Sequence, residues 1–244
     1  MTLLPALLLL ALAAPDALAG EAARVHLSPS QTDESYWQVV YSFDAPTREL
    51  AFCRPSGSYR RDRLVLPEGF LLVTQGGTDR LRRQDGEAYR EVTLFEPTTI
   101  ENPPVGYLPF AHFGDGGLLL YTGRYHAHAG ACQQEEGNHN GPYQITIDPG
   151  DAGTVLWQGQ RSPGAVTLRD TGDGNKVYVG TATVLEGELY VAVIDATMPE
   201  LVVSALAEGL PRLLAYFAER LPADVPALTL FASYHVPGNL PGIS

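Results

Sequence analysis

The chain has 244 residues, with 28 Asp and Glu against 16 Lys and Arg, a formal charge of −12 and a pI near 4.8. That balance excludes a nucleic-acid partner, because phosphate binding needs a clustered positive field. The one basic cluster, Arg54, Arg60, Arg61 and Arg63 followed by Arg80, Arg82 and Arg83, is interleaved with acidic residues and reads as a solvated surface.

Residues 1–19 open the chain with a leucine and alanine run from Leu3 to Ala14, followed by a small-residue site at Ala17, Leu18 and Ala19. This is the layout of a cleaved secretory signal, too short for a membrane span. No Lys or Arg precedes the run, so an uncleaved N-terminal anchor stays open as the alternative. The first cysteine is Cys53, so no lipid-modified cysteine follows the cleavage site. The expectation is an exported bacterial protein, periplasmic or secreted. No second apolar stretch reads as a span, so no membrane contact is expected after signal cleavage. The 225 residues that remain suffice for one large all-β domain, or one domain and part of another.

From Tyr36 to Asp195 short runs rich in Val, Leu, Tyr, Phe and Thr alternate with Gly, Pro, Asp and Asn, the signature of strands joined by turns. Strands are predicted at 36–43, 48–53, 70–74, 91–95, 118–123, 143–147, 154–158, 165–169, 177–183 and 189–194. Period-two alternation, as in Val155 and Trp157 against Leu156 and Gln158, predicts antiparallel sheets with one buried face. The turn-rich segment 170–176, DTGDGNK, predicts a hairpin, and with the next turn a three-strand meander over 165–194.

At Met198 the period becomes helical: Leu201, Val202, Ala205, Leu206, Leu210, Leu213, Leu214 and Phe217 recur at three and four residues. Gly209 and Pro211 predict a break into two helices, or a kink. A strand-like run, 227–234, follows. The fold class is therefore mainly β, an antiparallel β-sandwich over 20–197 followed by a short α/β segment over 198–244. A tail of that size cannot bury a core alone. It packs on the β domain or begins a truncated second domain, and the second reading is preferred.

Cys53 and Cys132 are the only cysteines. In an oxidising compartment they fit one disulfide closing a long loop, or two independent thiols; spacing does not choose between them. The densest polar cluster, residues 124–140, holds His126, His128, Cys132, Glu135, Glu136 and His139. On a strand His126 and His128 share a face, as two ligands of one metal would, with Cys132, Glu135 or His139 to complete the set. The preferred reading is a polar loop at a strand end, with Cys132 bridged and the histidines exposed, because the spacing matches no established ligand pattern. Asp170, Asp173 and Asn175 lack the closing bidentate Glu of a calcium loop. FGDGG (113–117) lacks the helix a phosphate loop needs, and no serine sits in G-x-S-x-G. No catalytic residue and no cofactor are assigned to the chain itself. Exposed aromatics at Tyr107, Phe110, Phe113 and Tyr125 would suit a glycan- or peptide-binding module, though core positions are the simpler reading.

The order of segments YWQVVYSFDAPTRELAF (36–52), LPFAHFGDGGLLLYTGRY (108–125), LYVAVIDATMPELVVSALAEGLPRLLAYFAERL (189–221) and ALTLFASY (227–234) resembles the N-terminal part of exported zinc metallopeptidases of the glycyl-aminopeptidase-like and aminopeptidase-N-like kind. The resemblance implies a non-catalytic β-sandwich that precedes a thermolysin-like domain, with that missing or separate catalytic domain as partner. Such enzymes hold zinc through H-E-x-x-H on a helix. The six histidines here, at 26, 112, 126, 128, 139 and 235, do not begin that motif. Zinc would therefore enter only through a domain beyond this chain.

Overall fold

The computed structural model describes residues 21–99, 110–114, 116–132, 142–170, 174–220 and 228–233. Residues 1–19, Tyr107, Glu135, Glu136, His139, Asp173 and His235 lie outside them.

The strands in chain order are β1 (Arg24–Pro29), β2 (Tyr36–Thr47), β3 (Glu49–Phe52), β4 (Phe70–Gln75), β5 (Thr78–Arg83), β6 (Tyr89–Pro97), β7 (Phe110–His112), β8 (Leu118–Tyr121), β9 (Ala127–Ala129), β10 (Tyr143–Ile147), β11 (Thr154–Trp157), β12 (Gln160–Ser162), β13 (Val166–Asp170), β14 (Lys176–Gly180), β15 (Thr183–Gly187), β16 (Tyr190–Ile194) and β17 (Leu228–Ala232). A short helix, α1 (Tyr59–Arg63), follows β3, and a long one, α2 (Glu200–Ala218), lies between β16 and β17.

These form four sheets, ordered β13-β10-β1-β2-β6, β12-β11-β14-β8-β7, β4-β5-β3-β9 and β15-β16-β17. The fold is mainly β, as the alternation predicts, and the sheets are antiparallel except for the pairs β1–β10 and β16–β17. The layers follow from side-chain alternation. Val25 and Leu27, Trp37, Val39 and Tyr41, and Ile145 and Ile147 point inward from the first sheet. They meet Leu50 and Leu81 of the third sheet and Leu120, Val155 and Val177 of the second in one continuous core. The opposite face of the second sheet, with Leu156 and Tyr178, packs on Val184, Val191 and Val193 of the fourth. The far face of the fourth sheet, with Tyr190, Ala192 and Ile194, receives Val203, Leu206, Leu210 and Leu214 of α2.

Two expectations need correction. The meander over 165–194 does not form: β13 pairs with β10, β14 with β8 and β11, and β16 with β15 and β17. Turn residues mark where the chain bends, whereas partners are chosen by which apolar faces meet, so DTGDGNK joins two sheets rather than two strands of a hairpin. Its Gly174 has φ +70°, and a Cβ there would lie 2.4 Å from the Gly123 amide nitrogen, so glycine is required by both backbone and space.

The second correction concerns α2: of the two outcomes predicted for Gly209 and Pro211 the break does not occur, and α2 is one helix of 19 residues with Pro211 inside it. It is held by the packing of four side chains on the sheet, which outweighs the lost hydrogen bond of proline. By length and composition α2 is thereby long and apolar enough to cross a membrane, which the split reading had not counted. One of its faces, however, is committed to the β15-β16-β17 sheet.

Candidate functional site

The register between β3 and β9 builds the site. Ala51 stands opposite His128 and Phe52 opposite Ala127, and the Cys53 amide donates to the His126 carbonyl at 3.0 Å, extending the ladder by one residue. Alternation along paired strands therefore places Cys53, His126 and His128 on one face. Beyond β9 the chain reverses at Gly130, φ +76°, whose amide donates to the Glu49 carbonyl at 2.8 Å. That reversal brings Cys132 to a Cα–Cα distance of 5.3 Å from Cys53, and the two form a disulfide across 79 residues.

The Nε2 atoms of His126 and His128 lie 2.9 Å apart. Both rings are buried, against the exposed histidines of the preferred sequence reading, because the bridge from Ala22 to His128 and the ring of Tyr143 cover them. The Tyr143 ring stacks on His126 at 4.3 Å and 14°. Burial first, then the neighbouring His128 and Arg54, pushes the His126 imidazole down to about 3, so it is neutral at ordinary pH. Its Nδ1 is buried without a hydrogen-bond partner. One ligand atom from each of Cys53, His126 and His128 lies within 4.8 Å of the other two. With Cys53 bridged, the cluster offers a metal two nitrogens and no thiolate.

Next to it lies a buried ionic network that corrects the reading of the arginine cluster as wholly solvated. Arg60 and Asp79 pair at 3.2 Å with each side chain only 3% exposed. Asp79 also accepts from Ser56 and Thr74, both at 2.8 Å. The Arg60 guanidinium donates to the carbonyls of Arg54 (2.6 Å) and Arg124 (2.8 Å) and lies over the Phe52 ring at 4.4 Å. Glu96, buried and hydrogen-bonded by the Tyr125 hydroxyl at 2.8 Å, has its carboxyl pushed up by desolvation. This network fixes the loops that flank the histidine pair.

A broad groove of about 1390 Å³ runs over the outer face of the first sheet, lined by His26, Ser28, Gln38, Glu91, His112 and Asp148 among others. No motif announces it, since these residues come from distant segments: His26, Ser28, Gln38 and Glu91 meet through the β1-β2-β6 pairing, Asp148 through its amide on the Leu27 carbonyl, and His112 through its ring on the Thr98 carbonyl.

Phe110, Phe113 and Tyr125, candidates for an exposed binding surface, are interior. They supply core volume, and no aromatic platform forms from them. Asp170 is buried and accepts from Asn175 at 2.8 Å and from the Thr122 hydroxyl, so it is a structural hub rather than half of a calcium loop.

No protein-family model and no curated protein sequence matches the chain. Among solved structures it is similar to the crystal structure of an aminopeptidase N family protein from Idiomarina loihiensis, with TM-score 0.46 and 14% identity over 85% of this chain and 38% of that one. It is also similar to native leukotriene A4 hydrolase from Saccharomyces cerevisiae, with TM-score 0.45 and 10% identity over 87% of this chain and 37% of that one. The chain thus spans less than two fifths of either structure. The likeness concerns the course of the backbone alone, and no residue role is drawn from it.

Proposed function

We propose that this chain is the non-catalytic β domain of an exported, peptidase-like protein, and that its α/β layer seats a catalytic domain which supplies the zinc. The observation that carries this reading is the outer face of α2. Its inner face packs on β16 and β17, but no residue of the helix is fully buried, and Leu201 (82%), Leu213 (51%), Tyr216 (53%) and Phe217 (44%) are exposed. A parallel strand pair with its crossover helix is a unit of layered α/β architecture, in which the helix buries one face on the sheet and turns a polar face outward; here the outward side carries large apolar side chains instead. The outer edge of β17 also has no neighbouring strand among the described residues. An apolar helix face beside an open sheet edge supports a second domain that continues both. The disulfide fits export to an oxidising compartment, periplasmic or extracellular.

The test is to read the coding sequence beyond Ser244, express the extended protein, and compare hydroxyl-radical labelling of Leu201, Leu213 and Phe217 with the chain alone. The reading expects a downstream helix bearing H-E-x-x-H and protection of those three side chains. A downstream sequence without the motif, or unchanged labelling, overturns it.

The groove favours a second reading, a module that binds an extended polar ligand such as a glycan or peptide along β1 and β2. Saturable binding in a glycan and peptide screen, weakened by Gln38→Ala and Glu91→Ala, would support it. A screen without hits would remove it.

A further inference from the structure

We propose that Cys53, His126 and His128 form a site for a thiophilic divalent cation, zinc by preference, which the Cys53–Cys132 disulfide keeps closed. Two observations meet here. The β3–β9 register places all three side chains on one face, with one ligand atom of each within 4.8 Å of the others. The two Nε2 atoms face each other at 2.9 Å, so a proton can sit on only one of them, and a cation between them would satisfy both.

The dimensions fit after a small opening. Zinc binds imidazole nitrogen at about 2.0–2.1 Å and thiolate at about 2.3 Å in a tetrahedron, so its ligand atoms stand roughly 3.3–3.6 Å apart. The two imidazoles need to separate by about half an ångström. A thiolate with two imidazoles is a donor set zinc takes readily, and three protein ligands leave a fourth position for water.

The gate is chemical. While Cys53 is bonded to Cys132 its sulfur carries no thiolate charge. A dithiol reductant gives two electrons and two protons to the disulfide, breaking the S–S bond to yield two thiols, and is left as its own disulfide. Zinc then displaces the Cys53 thiol proton to solvent and forms the Zn–S bond. Reduction of one bond thereby converts a structural staple into a metal site, independently of any second domain.

Cys132→Ser frees Cys53 without a reductant, and Co2+ is the probe because its thiolate complexes absorb in the near ultraviolet. The folded variant is expected to bind one Co2+ per chain with a thiolate charge-transfer band that Zn2+ abolishes, and the oxidised wild type to show none. His128→Ala in the Cys132→Ser background should weaken Co2+ binding at least about tenfold, and Cys53→Ser with Cys132→Ser should remove the band. If Cys132→Ser fails to fold, the wild type reduced in its folded state by a dithiol, then freed of it, replaces it in the same titration. A folded protein with free Cys53 that shows no charge-transfer band, or a band unmoved by His128→Ala, overturns the proposal.

Discussion

The Asp195 carboxylate accepts the Gly114 amide at 2.9 Å, joining the C-terminal α/β layer to the loop between β7 and β8. The same side chain accepts from the Thr197 amide (2.9 Å) and hydroxyl (2.7 Å) and from Ser233 beyond β17 (3.3 Å). It is buried, and every contact named here is a donor. A carboxylate is thus matched, whereas an amide would turn one NH2 group toward donors.

Asp195→Ala should therefore destabilise the chain by about 3 kcal/mol, since hydrogen bonds to a buried charge are each worth more than neutral ones. Asp195→Asn should cost less but still measurably. Hydrogen exchange distinguishes a local from a global effect: amides of β16 and β17 should lose protection before those of β1 and β2. Uniform loss across all sheets would contradict this role.

The Arg60–Asp79 pair is buried on both sides. Removing one partner leaves a charge in the interior, so Asp79→Ala should cost about 3–5 kcal/mol in urea unfolding. The double change Arg60→Met with Asp79→Leu should recover much of that, because no unpaired charge remains. A double variant as unstable as Asp79→Ala would show that the backbone contacts of Arg60, not its charge, are what matters.

His126 is neutral in the folded chain down to about pH 3, while in the unfolded chain it takes a proton below its ordinary value near 6.5. The unfolded state then binds more protons, so this group contributes stability that is fully present above about pH 6.5. That contribution is lost as pH falls toward 3, at up to about 1.4 kcal/mol per pH unit. His126→Phe, which keeps a ring against Tyr143, should flatten the pH dependence between 6 and 4 by that slope. Equal slopes in the two proteins would mean that His126 is protonated in the fold.

Much of this architecture is legible from residue patterns and much is not. Trp37, Val39, Tyr41 and Phe43 alternate inward as period two demands, and β2, β6, β10 and β11 lie close to where the apolar runs place them. β5, TDRLRR, is not legible: its two inward positions are Asp79 and Leu81, so it reads as a charged run until Arg60 arrives to pair with Asp79. Strand partners are equally hidden, because β10 joins β1 in parallel across more than a hundred residues. The histidine pair is legible as two side chains on one face. Its burial is not, since it depends on Ala22 and Tyr143 folding over β9 from elsewhere in the chain.

The outer face of α2 provides the last prediction. Leu213 and Tyr216, three residues apart, lie on the exposed side, while Leu210 and Leu214 face the sheet. Leu213→Glu with Tyr216→Glu should leave stability within about 0.5 kcal/mol, because neither side chain supports the core. The same pair should reduce hydrophobic-dye binding and any self-association of the chain. Leu210→Glu with Leu214→Glu, on the packed side, should instead release the helix and expose β16. If the outer pair proves as destabilising as the inner pair, α2 is covered on both sides in solution and the docking face proposed for it does not exist.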